Sequence, residues 1–244
     1  MSHSVAWRTV FVASPARSLE IYGKIRRGRT VDRGDRQDGQ NAEGRINAGV
    51  RGKSAMTVAV ETRRLSFEEY CQLDDSDRRY ELVNGELRLM NPPIARHFLI
   101  AKFLERAFDN EIQRLQQPWT CLQGAGVRTG LAKSRLPDLM VLPTEAVMEL
   151  LDRSAVFQTP PFLAVEIVSP SSSVDDYRYK RSEYGAIEIP EYWIVDGRDR
   201  KVTVLHLDEG FYEETVYADD EAIASKLFPE LDVTTARIFA IGGK

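Results

Sequence analysis

The chain has 244 residues, 43% hydrophobic and 29% charged, with a net charge of −4. That composition fits a globular protein, and no unbroken apolar run reaches the roughly 18 residues of a membrane span. Cys71 and Cys121 are 50 positions apart, and His3, His97 and His206 are scattered. Neither set has zinc-ligand spacing, so ordinary reduced thiols in a cytoplasmic protein are expected.

The net charge hides an asymmetry. Residues 1–55 hold 11 Lys/Arg and 5 Asp/Glu and so carry +6, whereas residues 56–244 carry −10. The basic part, GKIRRGRTVDRGDRQDGQNAEGRINAGVRGK, is rich in Gly, Arg and Asp and poor in apolar residues. It cannot bury enough surface to offset its ordering entropy. Residues 1–55 are therefore expected to be a disordered basic extension, either a nucleic-acid-binding arm or sequence upstream of a true start at Met56. One domain is expected over 56–244.

From Met56 the pattern is regular. Ser66 with Glu69 forms a capping box before a short helix, SFEEYCQL. YELVNGELRLM, from Tyr80 to Met90, predicts a hairpin turning at Asn84-Gly85. Pro92-Pro93 precedes a helix of about six turns, with Ile94, Phe98, Ala101, Leu104, Phe108, Ile112 and Leu115 as its apolar stripe. Pro118 to Arg128 and Leu136 to Leu142 each read as a strand, with a short helix over Glu145 to Leu151. FLAVEIV, residues 162–168, reads as a strand buried on both faces. Ser173 is expected to cap a helix running to about Ile187. EYWIVD, KVTVLHL and FYEETVY follow as strands, with Tyr192 and Trp193 in the core, and a short helix over Thr234 to Ala240 closes the chain. This order predicts an α/β fold with one central mixed sheet flanked by helices.

Glu166 lies inside the apolar run, where an unpaired carboxylate costs several kcal/mol. Asp138 sits in a similar setting, LPDLMVL. Two acids on neighbouring strands can share one oxygen-coordinated ion, and Mg²⁺ suits one or two carboxylates plus water and phosphate. Lys180 follows on the next helix, with Asp176 and Tyr184 on the same face at steps of four. It could orient an attacking water or stabilise a developing charge. Glu81 in YELV is a fourth candidate. Each has a bland alternative: Asp138 as a turn residue, Lys180 and Asp176 as a surface ion pair, His97 as an ordinary core or interface histidine.

YELVNGELRLMNPP, RLPDLMVLP, PFLAVEIVSPSSS and DDYRYKRSEYGAIEIPEYWIVD followed by KVTVLHL, in that order, resemble the Uma-two family of the PD-(D/E)XK nuclease superfamily. The resemblance covers roughly residues 64–242. It implies a restriction-endonuclease-like core and Mg²⁺- or Mn²⁺-dependent cleavage of DNA phosphodiesters, with Asp138 and Glu166 as the motif acids and Glu81 as an acid from the N-terminal part of the core. The superfamily pattern has a lysine two positions after the second acid. Val168 stands there instead, and Lys180 is the expected replacement.

Two functions follow. The first is a metal-dependent DNA endonuclease, acting as a homodimer if both strands are cut. The second is a nuclease-fold binding or regulatory module that does not cleave, which the −10 charge of residues 56–244 favours because DNA-binding surfaces are normally basic. For the first, Arg128, Lys133 and Arg135 are expected to form a local basic face. Glu213, Glu214, Asp219, Asp220 and Glu221 are expected to hold acidity away from the cleft.

Overall fold

The computed structural model describes residues 63–73, 79–169 and 172–241. The expectation for residues 1–55 lies outside them. Helix α1, Phe67–Cys71, carries the expected capping box, with Ser66 Oγ accepting from the Glu69 N–H and the Glu69 carboxylate accepting from the Ser66 N–H. Strands β1, Tyr80–Val83, and β2, Glu86–Leu89, form the expected hairpin. Asn84 and Gly85 both take positive φ, 52° and 85°, which two-residue turns of this twist require. A Cβ on Gly85 would meet Arg64 Cβ at 2.7 Å, so glycine is required twice over.

Helix α2, Ala95–Leu115, ends at Gln116 in the left-handed conformation. Its buried stripe begins at Ile100 and continues through Ala101, Leu104, Phe108 and Ile112. Ile94 and Phe98, expected in that stripe, are exposed. The strand expected from Pro118 to Arg128 is two strands, β3, Trp119–Gln123, and β4, Gly126–Gly130. Gly124 breaks them with φ of 66°. Strands β5, Lys133–Arg135, and β6, Leu139–Pro143, are likewise separate. Helix α3 is Thr144–Met148, and β7 is Val156–Phe157.

Strand β8, Leu163–Ile167, is buried at every position, as the apolar run requires. A π-helical segment, Asp175–Lys180, then runs into helix α4, Arg181–Ala186. No side chain caps its start. Ser173 is not the expected cap, and Ser172 Oγ instead donates to Asp176 Oδ2 at 2.6 Å. Strands β9, Glu191–Asp196, β10, Lys201–Asp208, and β11, Phe211–Ala218, precede helix α5, Thr235–Phe239.

The α/β class holds, but the strands divide between two mixed sheets where one was expected. The first has the order β2-β1-β5-β4-β7, the second β11-β10-β9-β8-β6-β3. The break after Gln123 sends β3 and β4 to different sheets. In the six-stranded sheet β8 and β9 are parallel, and the neighbouring pairs are antiparallel.

Alternation gives this sheet two buried faces. Leu139, Val141, Leu163, Val165, Trp193 and Val195 pack with Leu104 and Phe108 of α2 and Ile238 of α5. Met140, Leu142, Ala164, Tyr192 and Ile194 pack with Tyr184 of α4 and with Val127 and Phe157 of the five-stranded sheet. Glu166 belongs by its parity to this second face.

Candidate active site

The β6–β8 register sets Leu139 opposite Val165. One position further, at the strand ends, Asp138 stands beside Glu166. Asp138 precedes β6 in a bend, and its carboxylate accepts the Ile167 N–H, so the two acids adjoin at the strand ends. They lie by the C-terminal end of β8, where it runs parallel to β9, the usual place for a ligand in an open α/β sheet.

Each acid is fixed by a different part of the chain. Asp138 Oδ2 accepts the Ile167 N–H at 2.7 Å, and Oδ1 accepts from His97 Nε2 at 2.8 Å. An ionised carboxylate only accepts, so the imidazole donates from Nε2. His97 sits in the first turn of α2, facing inward while its exposed neighbours Arg96 and Phe98 do not. It orients Asp138, a part that sequence reasoning passed over as bland.

Glu166 is 3% exposed. Its Oε1 accepts the Tyr184 hydroxyl at 2.6 Å, and its Oε2 faces Lys180 Nζ at 2.7 Å. Burial pushes this carboxyl well above its ordinary value of 4.5. Lys180 pulls it back, but Asp176, Asp138 and Glu81 push it up again.

Lys180, expected only from helix spacing, is 2% exposed and points into this cluster. Its ammonium also lies 2.9 Å from Asp176 Oδ1 and 3.6 Å from Glu81 Oε1. Burial alone would lower its pKa, but the Glu166, Asp176 and Glu81 carboxylates more than reverse that. The lysine is a permanent cation at neutral pH. The Asp176–Lys180 pair is thus a buried junction and not a surface ion pair. The π-helical turn that carries it exposes the Asp176 carbonyl, which accepts the Tyr192 hydroxyl at 3.0 Å. Such turns are often found at functional sites.

Glu81 reaches the cluster from β1 of the other sheet and is 2% exposed. Its Oε2 accepts from Arg135 Nη1 at 2.9 Å. The structure thus brings Glu81, Glu166 and Lys180 together, with Asp138 adjoining Glu166. Asp176, Tyr184, His97 and Arg135 join them.

The expected basic face of Arg128, Lys133 and Arg135 is not an open one: Arg135 is buried, and Arg128 and Lys133 are half-buried. Arg135 is 2% exposed and committed to Glu81 and Glu183, while Lys133 pairs with Glu183 at 3.2 Å. Arg128 lies over the Phe67 ring, 4.1 Å from its centroid. In sequence these three read as a cluster of cations, but the fold pairs each with its own acids, Arg128 with Glu68 at 3.7 Å. Glu213 and Glu214 lie on β11, the outer strand, with β10 and β9 between it and β8. Cys71 and Cys121 are free thiols. Among the described residues no helix is long and apolar enough to cross a membrane.

Carboxylate oxygens are the donor type that a hard divalent cation takes. Three buried carboxylates, Glu81, Glu166 and Asp176, surround the buried Lys180, and the half-buried Asp138 adjoins Glu166. An acid-rich junction of this kind can be balanced by protonation of Glu166 or by a bound cation. Among the described residues no three His, Cys, Asp or Glu side chains are set to hold an ion by themselves. The fit is therefore to an ion that takes two carboxylates and completes its shell with water and phosphate oxygens, as Mg²⁺ does.

Comparison with known proteins agrees with this architecture. A solved structure, "Crystal structure of a putative nuclease belonging to DUF820 from Anabaena variabilis ATCC 29413", superposes with a TM-score of 0.61 at 17% identity, covering 72% of this chain and 98% of that one. At that identity the likeness shows a shared fold. No curated protein matches the chain. The Uma2 family model, described as "Putative restriction endonuclease", matches residues 67–236. That span takes in both sheets and every residue of the cluster, and the chain belongs to the Uma2 family.

Proposed function

We propose that the protein is a metal-dependent endonuclease that hydrolyses DNA phosphodiesters, with Mg²⁺ or Mn²⁺ held by Asp138 and Glu166. The observation that carries this is the adjoining of Asp138 and Glu166 at the end of β8, with a buried lysine 2.7 Å from Glu166. Family membership supports the reaction class.

When bound, the ion would supply an activated water and neutralise charge on the phosphate. The chain's own groups do the rest. Asp138, clamped by His97 and the Ile167 N–H, offers lone pairs in a fixed direction. Glu166 is held by Tyr184 and Lys180, and each of its oxygens keeps a second lone-pair direction. Lys180 stays protonated, so it is a donor and a positive charge, not a general base. It directs the attacking water or stabilises the equatorial oxygens as the P–O ester bond breaks. Glu81 and Asp176 hold its ammonium in place. A homodimer would cut both strands of a duplex.

The test is cleavage of plasmid DNA with Mg²⁺ or Mn²⁺ by wild type, Asp138→Ala and Glu166→Ala. Cleavage by wild type alone is expected. Equal cleavage by all three removes the reaction from these residues. The −10 charge of residues 56–244 favours a second reading, a nuclease-fold module that binds without cutting. Metal binding with no cleavage of single- or double-stranded DNA would select it.

A further inference from the structure

Arg135 is a nearly buried guanidinium that makes three short contacts in two directions. One edge, Nε and Nη2, grips the Glu183 carboxylate at 2.7 and 2.9 Å. Nη1 turns the other way and donates to Glu81 Oε2 at 2.9 Å. The next backbone N–H, of Leu136, approaches Glu81 Oε1 at 3.4 Å. Glu183 is itself fixed by Thr129 Oγ1 at 3.0 Å and Lys133 Nζ at 3.2 Å. Glu183 lies three residues after Lys180, in the first turn of α4.

Arg135 therefore grips both flanks of the lysine. Through Glu81 it sets the β1 carboxylate that faces the ammonium. Through Glu183 it pins the helix on which the ammonium is mounted. Only a planar, five-donor fork can do both with fixed angles, and a lysine could serve one direction at a time. If buried charge pairs served stability alone, apolar residues of similar volume would do as well. A single cation joining two acids that flank a third charge has a geometric consequence beyond stability.

We infer that Arg135, with Glu183, is a positioning residue that aligns Glu81 and Lys180 for the proposed cleavage. This rests on the nuclease reading. Arg135 touches neither Asp138 nor Glu166 among its hydrogen-bonded partners, so its effect on the metal-holding pair is indirect, through Lys180.

The experiment uses the full chain with Arg135→Lys, Glu183→Gln, Glu81→Gln and the double variant Arg135→Lys/Glu81→Gln. Three quantities are read: kcat and KM on a labelled DNA duplex with Mn²⁺, Mn²⁺ affinity by titration without DNA, and folded fraction by circular dichroism. In Arg135→Lys, kcat is expected to fall about tenfold to a hundredfold, as for other residues that orient a site. KM and Mn²⁺ affinity should stay within about threefold of wild type, since removal of a residue acting only in the transition state lowers kcat alone. Glu183→Gln should lower kcat in the same direction by a smaller factor. The double variant should be no worse than its weaker parent, because the two residues form one unit.

A folded Arg135→Lys with wild-type kcat overturns the inference, and so does full additivity in the double variant. If Arg135→Lys fails to fold, Glu183→Gln decides by the same criterion. No cleavage by wild type overturns the nuclease reading and this role together, whereas cleavage undiminished in the folded variants overturns this role alone.

Discussion

Glu166 and Glu191 are two buried glutamates on adjacent parallel strands, with opposite surroundings. Their exposures are 3% and 1%. Glu191 Oε1 accepts the Trp193 indole N–H at 2.7 Å, and its Oε2 accepts the backbone N–H groups of Lys226 and Leu227 at 2.9 and 3.0 Å. Burial pushes its carboxyl up, but hydrogen bonds from His206, Ser225, Leu227 and Trp193 outweigh that, and the group titrates below 4.5. Glu166 meets one cation and three further carboxylates and titrates well above it. Glu191 is complete within the chain: its donors hold the C-terminal segment against the sheet. Glu166 has two donors against three neighbouring acids, an arrangement often found at functional sites.

The largest expected difference between them is in turnover. Glu166→Gln removes a proposed metal ligand and should lower DNA cleavage by about a thousandfold, the several kcal/mol of an ion's charge stabilisation. Glu191→Gln should leave cleavage per folded molecule within about twofold. Comparable losses in both would mean that burial, not chemistry, explains the effect, and would erase the contrast.

Stability should separate them in the opposite sense. A carboxyl whose folded pKa is lowered contributes stability that is present above its unfolded value and lost as pH falls through the folded one. Glu191→Gln should therefore destabilise by about 2 kcal/mol at pH 7, the range for hydrogen bonds to a charged group. The gap to wild type should narrow as pH drops below 4.5. A raised carboxyl contributes stability below its unfolded value and loses it as pH rises through the folded one. In chelator, Glu166→Gln should gain on wild type as pH rises above 4.5. Urea unfolding of both variants between pH 3.5 and 8 checks the two signs, and parallel curves would break the comparison.

Much of this was legible beforehand for a local reason. A carboxylate inside FLAVEIV has to be explained, whatever the fold. The Asn84-Gly85 hairpin and the Ser66–Glu69 capping box are decided within four residues. Lys180 followed from helical spacing plus the absence of a lysine at 168. Where the outcome depends on distant partners, the sequence was silent or misleading. Nothing local distinguishes His97 from any inward histidine, since its partner Asp138 is 41 residues away. Arg135 looked like a DNA-facing cation because the two acids that claim it lie 54 and 48 positions off. Glu191 follows a proline at the start of a strand and gave no sign of its burial, because its backbone donors come from a loop 35 residues later. The break between β3 and β4 comes at one positive-φ glycine, Gly124, within a stretch that otherwise reads as continuous strand.

The smallest expected effect probes the Glu166 side alone. Tyr184 is fully buried and donates to Glu166 Oε1 at 2.6 Å. Burial first, and then the Glu166 and Tyr192 neighbours, push its own pKa well above 10, so it remains a donor throughout. Tyr184→Phe deletes that hydroxyl with little change of volume. Its loss should cost about 1 kcal/mol of stability by thermal or urea unfolding. Cleavage should fall by less than about tenfold, because Lys180 still holds the other oxygen of the carboxylate. Wild-type turnover in this variant would mean that Lys180 alone orients Glu166. A loss as large as that of Glu166→Gln would mean that the hydroxyl, and not the ammonium, keeps the carboxylate in its working geometry, and the burden of the site would shift from the π-helical turn to α4.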